Sequence, residues 1–405
     1  MNYTETLDWI FHRLPMYQKQ GKTAFKPGLE NIRALAKYLR NPEKKFKSVH
    51  IGGTNGKGST ANMMASVFQE AGYKTGLYTS PHLRDFRERI RIDGQLISKH
   101  SLVDFIEKHK DFIEKQECSF FELGVAMAFD HFATEQVDIA FIEVGLGGRL
   151  DATNIIDPEL SLITNIGLDH TNFLGETHAK IAKEKAGIIK NKTPVVIGEN
   201  NPETAPVFRE KAKAEQAEIV FALDNDQGDY ELDLLGKYQQ KNLKTALAGI
   251  RLLQNQGWDI SEKHLKNGLR NVQKNTSFIG RFSVLGKSPS IVADTAHNAE
   301  GLKELFQQIN DMSYERLFII LGIVNDKSTD RTLPLMPKGA TYFFCKPNVP
   351  RGMPAEKLQN LAKDHHLYGK TFPSVEKALQ KTKSEAGKKD LILVTGSTFT
   401  VAEII

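Results

Sequence analysis

The sequence predicts an α/β protein with two domains, the first of which contains a parallel β-sheet. Three observations support this fold class. The chain has 405 residues, which is long for one ordinary domain. Strand-like runs alternate with helical patterns in two blocks, residues 1–275 and 280–405. A glycine-rich turn also connects a strand-like run to a helical pattern, and this order is typical of a βαβ unit.

The first block starts with an amphipathic helical pattern over residues 1–15, which lacks the features of a secretory signal. A strand is predicted at residues 46–51. A helix is predicted at residues 60–71, because apolar residues recur there at helical spacing and Gly72 follows. A strand at residues 74–79 completes the βαβ unit, and residues 194–197 are another candidate. Continuous apolar runs, which suit strands buried on both faces, predict further strands at residues 137–144 and 160–166.

The second block predicts a smaller α/β domain. A helical segment at residues 236–256 precedes a polar stretch at 271–278, which we interpret as a linker. Helical patterns then separate short apolar runs, and residues 299–309 are the clearest of these patterns. The predicted strands of this block lie at residues 290–293, 316–321, 341–344 and 391–394.

The composition argues against several classes of protein. Hydrophobic residues make up 40% and charged residues 25%, the balance of a soluble globular enzyme. No apolar run approaches the ~20 residues that a membrane-spanning helix needs. The net charge of +5 is spread along the chain, so neither a nucleic acid nor a membrane is expected as a partner. Cys118 and Cys345 lie far apart, which argues against a disulfide framework and fits the cytoplasm.

A glycine-rich segment, residues 52–60 (GGTNGKGST), predicts a phosphate-binding loop. Glycines let backbone N–H groups point at phosphate oxygens, and Lys57 can reach the outer phosphates. The segment departs from the common pattern, because Ile51 replaces its first glycine and Gly58 separates Lys57 from Ser59. The alternative is a glycine-rich turn that only joins a strand to a helix. The predicted nucleotide-binding residues of this loop are Thr54, Asn55, Gly56, Lys57, Gly58 and Ser59.

Several further segments occur in an order that resembles one known family. They lie at residues 78–83 (YTSPHL), 143–154 (EVGLGGRLDATN), 164–171 (TNIGLDHT), 184–188 (EKAGI) and 294–298 (DTAHN). Together with GTNGKGS they resemble the dihydrofolate synthase/folylpolyglutamate synthase family, the folate branch of the Mur ligases. The resemblance covers essentially the whole chain. It implies a Mur-ligase-type central domain with a P-loop and a parallel sheet, followed by a smaller Rossmann-like domain.

The resemblance also implies a reaction. The ATP γ-phosphate would activate a carboxylate as an acyl phosphate, and the amine of L-glutamate would displace phosphate from it. The implied acceptors are dihydropteroate, the γ-carboxyl of reduced folates, or both. ATP and Mg²⁺, with two metal sites, are the implied cofactors. A monomer is expected, with small molecules as its only partners.

Four residues are predicted to be catalytic: Lys57, Glu143, His170 and Lys185. Glu143 ends a predicted buried strand, at the sheet edge where α/β proteins bind ligands, so its carboxylate can hold a metal ion. By resemblance, Ser80 and His170 are further metal ligands and Lys185 carries a carbamate. A turn serine, a structural histidine and an unmodified lysine are the alternatives.

The substrate contacts are implied by resemblance as well. Those for the nucleotide are Asn242, Arg281 and Asp294. Those for the pterin are Lys26, Pro27, Gly28, Ser119, Phe120, Phe121, Leu150, Asp151 and Ala152. The two phenylalanine rings can stack on a flat pterin, although core packing is an equal alternative. Lys327 and Arg351 are candidates to pair with glutamate carboxylates.

Two other functions remain as alternatives. A peptidoglycan amino-acid ligase of the same superfamily would carry a separate domain before the phosphate loop, and only 51 residues precede Gly52. The length therefore disfavours it, but a Mur-type ligase with another carboxylate acceptor stays open. A nucleotide-dependent switch or motor is also possible in principle, yet it leaves the segment at residues 294–298 without a role.

Overall fold

The computed structural model describes residues 1–15, 28–224, 228–325 and 329–405. The predicted site residues Lys26, Pro27 and Lys327 lie outside these ranges. The chain divides into two compact units. The first unit comprises Met1–Asp233 and Gln239–Phe278, and the second comprises Leu234–Tyr238 and Ile279–Ile405.

An eight-stranded sheet forms the centre of the first unit. Its strands are β1 (Lys47–Gly52), β2 (Thr75–Tyr78), β3 (Ile90–Ile92), β4 (Gln95–Leu96), β5 (Ile139–Glu143), β6 (Leu160–Ile163), β7 (Val195–Ile197) and β8 (Ile219–Phe221). Their order across the sheet is β4-β3-β2-β5-β1-β6-β7-β8. The pairs β2–β3 and β3–β4 are antiparallel, and the other pairs are parallel. The carboxyl ends of β2, β5, β1 and β6 therefore meet at one edge of the sheet.

Helices cover this sheet on both faces, as parallel strands require. In the described part of the first unit they are α1 (Tyr3–Arg13), α2 (Glu30–Tyr38), α3 (Lys57–Glu70), α4 (Lys99–Lys115), α5 (Phe120–Thr134), α6 (Thr171–Leu174), α7 (His178–Lys185), α8 (Ala205–Ala214), α9 (Gln239–Asn255), α10 (Glu262–Arg270) and α11 (Val272–Thr276). Every residue of α3 from Ser59 to Phe68 is buried, so this helix lies in the core. It begins directly after the glycine-rich loop.

The predicted strands and helices of the first block are present, although β6 ends at Ile163, three residues before the end of its predicted strand, and two further differences occur. Helix α3 begins at Lys57, three residues before the predicted start. The stretch predicted as a linker, residues 271–278, contains helix α11 and belongs to the first unit. Its polar residues are held by α3, because Asn275 Nδ2 donates to Ser66 Oγ at 3.1 Å and to Glu70 Oε1 at 2.9 Å. The linker interpretation was therefore wrong.

A six-stranded sheet forms the second unit. Its strands are β9 (Ser283–Lys287), β10 (Ser290–Ala293), β11 (Leu317–Leu321), β12 (Thr341–Cys345), β13 (Gly369–Phe372) and β14 (Leu391–Thr395), and their order is β13-β12-β11-β14-β10-β9. All neighbours are parallel except β9 and β10. The four predicted strands are its buried ones. The sequence did not predict β9 and β13, the two edge strands, because β9 is largely exposed, β13 is only partly buried, and neither carries a long apolar run.

The helices described for the second unit are α12 (Ala299–Asn310), α13 (Thr329–Thr332), α14 (Ala355–Lys363), α15 (Val375–Glu385) and α16 (Thr398–Ala402). Helix α12 begins at an N-cap, Asn298, whose side chain accepts a hydrogen bond from the Gly301 N–H group. Across the described ranges of both units, no helix is long and apolar enough to cross a membrane.

Candidate active site

The glycine-rich loop between β1 and α3 is held by the two residues that follow β6. Thr54 N donates to the carbonyl oxygen of Asn165 at 2.9 Å, and Asn55 N donates to the Asn165 side chain at 2.8 Å. The hydroxyl of Thr164 donates to the Asn55 carbonyl at 2.6 Å. Asn165 therefore binds the loop through both its backbone and its side chain, which fixes the loop without any ligand.

Two glycines let this loop approach its neighbours closely. A Cβ atom at Gly53 would lie 1.9 Å from the hydroxyl oxygen of Thr164, and one at Gly56 would lie 2.1 Å from Asn242 Oδ1. Both glycines also have positive φ angles, 139° and 82°. Asn242, a predicted nucleotide contact on α9, thus lies directly against the loop. It is 8% exposed, and its Nδ2 donates to Gln239 Oε1 at 2.8 Å.

Lys57, the first residue of α3, folds back over the loop. Its Nζ atom donates to the carbonyl oxygens of Gly53 at 3.1 Å and Thr54 at 3.0 Å. The ammonium group is therefore held on the loop, next to the first turn of α3. This is the arrangement of positive charge and donors that binds phosphate.

Glu143 and Ser80 come together at the ends of neighbouring strands. Glu143 ends β5 and is 5% exposed, and its Oε2 accepts a hydrogen bond from Ser80 N at 2.8 Å. Both carboxylate oxygens lie 3.5 Å from the position of a Cβ atom at Gly58, so the carboxylate faces the start of α3. A buried carboxylate beside a hydroxyl group fits Mg²⁺, which prefers oxygen ligands.

His170 lies after β6, as predicted, but its side chain is partly exposed. Its backbone is left-handed, with φ 48°, and its Nε2 atom lies 3.9 Å from Asp169 Oδ1. No group of three His, Cys, Asp or Glu side chains with metal-binding geometry occurs in the described ranges. A metal ion at Glu143 and Ser80 would therefore complete its shell with phosphate oxygens and water.

Lys185, the last residue of α7, is buried beneath the loop. It is 4% exposed, and its Nζ donates to the Gly53 carbonyl at 2.7 Å. Burial, together with the nearby charge of Lys57, lowers the pKa of Lys185 to about 7. Near neutral pH, Lys185 is therefore a neutral amine in a substantial fraction of the protein molecules. The structure thus brings Lys57, Lys185, Glu143 and Ser80 to one loop.

The first pterin candidates lie at the start of α5. Ser119 caps this helix, because its hydroxyl accepts from Glu122 N at 3.2 Å while Glu122 Oε2 accepts from Ser119 N at 2.7 Å. Phe120 is 4% exposed and packs in the core. Phe121 is less buried, and its ring lies 2.3 Å from the position of a Cβ atom at Gly145. The ring of Phe121 therefore reaches the loop after β5.

The second pterin group lies in that loop. Asp151 is 4% exposed, and its carboxylate accepts from Leu146 N at 2.8 Å, from Thr153 N at 3.1 Å and from the Thr153 hydroxyl. Burial raises the pKa of Asp151, whereas these hydrogen bonds lower it. Ala152 is buried and Leu150 is half-buried. Gly28 has a positive φ angle of 144°.

The second unit carries Asp294 and Arg281. Asp294 is 3% exposed, and its Oδ1 accepts from Ala296 N at 2.8 Å. Its Oδ2 accepts from Phe282 N and from the Tyr238 hydroxyl, each at 2.8 Å. The Arg281 side chain is exposed. Asp294 therefore organises the backbone beside Arg281, and this contribution to the fold was not predicted.

Several residues that build the site were not predicted from the sequence. The strand predicted at residues 160–166 includes Thr164 and Asn165, but β6 ends at Ile163. The side chains of both residues are hydrogen-bonded to the loop. The polar pair at the end of an apolar run was the available signal. Thr153 and His50 were also missed, because an isolated threonine and an isolated histidine in a strand give no signal.

Both the sequence and the fold of this chain are similar to those of known proteins. The Mur ligase middle domain matches residues 51–284, and the Mur ligase glutamate ligase domain matches residues 280–398. The dihydrofolate synthase/folylpolyglutamate synthase of Escherichia coli is 33% identical over 93% of this chain and 90% of its own length. A probable bifunctional folylpolyglutamate synthase/dihydropteroate synthase of Haloferax volcanii is also 33% identical, and the chain spans 50% of that relative's length.

Solved structures agree with these matches. E. coli FolC in complex with DHPP and ADP has a TM-score of 0.85 and 30% identity, over 100% of this chain and 97% of that one. A Yersinia pestis bifunctional folylpolyglutamate synthase/dihydrofolate synthase complexed with AMPPNP and Mn ion also has a TM-score of 0.85, at 27% identity over 100% and 97% of the two chains. The predicted α/β fold and ATP-dependent ligase class are confirmed. The chain belongs to the dihydrofolate synthase/folylpolyglutamate synthase family of Mur ligases.

Proposed function

We propose that this chain uses ATP to join L-glutamate to dihydropteroate, to the γ-carboxyl group of reduced folates, or to both. The observation that carries the proposal is the convergence of Lys57, Lys185 and Glu143 on one glycine-rich loop. Family membership supplies the class of substrate. A loop that presents N–H groups, a cation and a buried carboxylate to one point is suited to phosphoryl transfer, which depends on positioning and charge neutralisation.

The first step in this proposal transfers the γ-phosphoryl group of ATP to a carboxylate oxygen of the acceptor, which gives ADP and an acyl phosphate. The residues from Thr54 to Ser59 form the loop that binds the phosphates, and the N–H groups of the residues that begin α3 are the donors to them. Lys57 neutralises negative charge on the transferred group. The amine of L-glutamate then attacks the acyl carbon, loses a proton and displaces phosphate.

Ser80, Glu143 and His170 are the proposed ligands for two Mg²⁺ ions. When bound there, magnesium would neutralise the phosphate charge during phosphoryl transfer. Two features support this assignment. The Glu143 carboxylate faces the start of α3, and the Ser80 N–H group fixes the orientation of that carboxylate. His170 is assigned by its position after β6.

Lys185 is proposed to carry a carbamate. Its neutral amine would attack CO₂, form an N–C bond and release a proton. Two features favour this reaction. The side chain is buried, and a second lysine bonds to the same carbonyl oxygen. The modification replaces one of two adjacent cations by an anion, which would attract the other lysine and a metal ion.

Asp151 and Phe121 are the pterin contacts that the geometry supports best. A carboxylate can accept hydrogen bonds from the N–H groups of a pterin, and an aromatic ring can stack on it. The other proposed pterin contacts are Gly28, Ser119, Phe120, Leu150 and Ala152. The proposed nucleotide contacts outside the loop are Asn242, Arg281 and Asp294.

Phosphate release tests the proposal directly. The protein is given ATP, Mg²⁺ and L-glutamate, with dihydropteroate and tetrahydrofolate in separate reactions, and the products are identified by mass spectrometry. A glutamate adduct of dihydropteroate would establish the first activity, and one of tetrahydrofolate the second. If protein that binds nucleotide forms neither product, the folate acceptors are wrong, and a Mur-type ligase with another carboxylate acceptor replaces them.

We further propose a cytoplasmic monomer. Cys118 and Cys345 are buried and form no disulfide bond, which suits a reducing compartment. Light scattering of the purified full chain measures its mass against the 45.4 kDa of one copy. A mass of two or more copies would contradict the monomer.

A further inference from the structure

A chain of hydrogen bonds leads from the centre of the sheet to Asp151. The His50 Nε2 atom lies 2.9 Å from the Thr153 hydroxyl oxygen, and that hydroxyl contacts Asp151 Oδ1. His50 and Thr153 are fully buried, and Asp151 is 4% exposed. His50 lies in β1, two residues before the Gly52 carboxyl end that leads into the phosphate loop. The strand that presents the loop therefore also supports Asp151.

The direction of each hydrogen bond follows from its members. An ionised carboxylate can only accept, so the single hydroxyl proton of Thr153 is donated to Asp151. His50 Nε2 must then carry a proton and donate it to the threonine oxygen. Burial lowers the pKa of His50 to about 3, and the charge of Lys190 adds to this effect, so the ring is neutral. Its Nδ1 atom therefore has no proton, and it has no hydrogen-bond partner in the described part of the chain.

The cost of this arrangement favours a functional role. The side chains on either side of His50 in β1, Val49 and Ile51, are fully buried and apolar. A buried ring nitrogen without a partner is destabilising, and an apolar side chain at position 50 would avoid that cost. His50 provides a fixed hydrogen-bond donor to Thr153, and Thr153 in turn orients the Asp151 carboxylate.

We propose that His50 and Thr153 are positioning residues that fix the Asp151 carboxylate to accept N–H groups from the acceptor substrate. The substrate class is a ring with N–H donors, such as the pterin of the proposed acceptors, and the inference rests on that proposed function. Thr153 orients the carboxylate directly, through both its hydroxyl and its backbone N–H group. His50 prevents the hydroxyl from rotating away.

Two nearly isosteric variants test the proposal. Thr153→Val removes the hydroxyl and keeps the volume, whereas Thr153→Ser keeps the hydroxyl. With dihydropteroate or tetrahydrofolate, we expect Thr153→Val to raise the KM of the pterin substrate about tenfold or more, as for the loss of one hydrogen bond to a charged group. Its kcat and its KM values for ATP and L-glutamate should change little, and Thr153→Ser should match the wild type. His50→Leu should raise the same KM by a smaller factor.

Equilibrium binding of dihydropteroate, measured by its fluorescence, separates the possible outcomes. If the wild type binds dihydropteroate and Thr153→Val binds it equally well, the positioning role is wrong and the proposed function stands. An equal loss of dihydropteroate affinity in Thr153→Ser and Thr153→Val would also overturn the positioning role. If the wild type neither binds nor converts either pterin, both proposals fail. Should Thr153→Val not fold, His50→Leu is compared with the wild type by the same two measurements.

Discussion

Lys57 and Lys185 donate hydrogen bonds to the same acceptor, the carbonyl oxygen of Gly53, over distances of 3.1 and 2.7 Å. Two ammonium groups that share one acceptor repel each other, and one of them is buried. The repulsion is relieved if Lys185 loses its proton, and it becomes attraction if Lys185 gains a negative charge. The loop is therefore arranged so that modification of Lys185 would strengthen the position of Lys57.

Incubation with ¹³C-labelled bicarbonate should give a carbamate signal from Lys185 in the NMR spectrum. The pKa of Lys185 is about 7, so the neutral amine that reacts with CO₂ increases as the pH rises through that value. We expect the signal and the ligase activity to increase together from roughly pH 6 to pH 8. Lys185→Ala should lose both, and Lys183→Ala, which alters an exposed lysine on the same helix, should keep both. A signal that persists in Lys185→Ala would contradict the assignment.

Replacement of Lys57 should stop catalysis without unfolding the protein. The side chain is only partly buried, so we expect the free energy of unfolding of Lys57→Ala to change by less than about 1 kcal/mol. Phosphate release should fall by about 100-fold or more, because the charge on the transferred phosphoryl group loses its cation. Lys266→Ala, an exposed lysine on α10, is the control. Near-normal turnover of Lys57→Ala would exclude Lys57 from the site.

Replacement of Glu143 should alter the magnesium dependence of the reaction. Glu143→Ala removes the buried carboxylate that faces the start of α3, and added Mg²⁺ should not restore its activity. Glu143→Asp keeps the charge on a shorter side chain. This variant should remain active but need more Mg²⁺ for half of its maximal rate. Phosphate release over a range of Mg²⁺ concentrations measures both effects, and an unchanged dependence in Glu143→Ala would rule out metal binding by this residue.

The sequence predicts the buried part of the fold better than its edges. Strands β5, β11 and β14 are nearly continuous apolar runs, because both faces of a parallel sheet are covered. Strand β9 has no such pattern, since most of its residues are exposed. Its place in the sheet depends on pairing with β10. Residues 271–278 differ in the other direction. Their polar side chains predict a linker, whereas Asn275 is hydrogen-bonded to α3.

The candidate site also combines residues that the sequence predicts with residues that it does not. Lys57 and Glu143 could be predicted, because a glycine-rich turn and the end of an apolar strand are local patterns. Asn165 could not, because its contacts with Thr54 and Asn55 join residues more than 100 positions apart. The burial of Lys185 could not be predicted from the sequence either. Its helix is rich in lysine, and only packing beneath Gly53 distinguishes it from its neighbours.

Asp294 gives a final prediction about the stability of the second unit. Asp294→Ala would leave the buried N–H groups of Phe282 and Ala296, and the Tyr238 hydroxyl, without their acceptor. Each unpaired group costs about 1–3 kcal/mol, so the free energy of unfolding of this unit should fall by at least about 2 kcal/mol. Tyr238→Phe removes one donor only and should lower it by about 1 kcal/mol.

Urea unfolding of the full chain, followed by circular dichroism, measures both changes. Burial and the charge of Asp294 raise the pKa of Tyr238 well above its ordinary value, so the hydroxyl keeps its proton throughout the neutral range. The difference in the free energy of unfolding between Tyr238→Phe and the wild type should therefore not vary from roughly pH 6 to pH 8. If Asp294→Ala unfolded at the same urea concentration as the wild type, its carboxylate would not be the acceptor that holds this part of the second unit together.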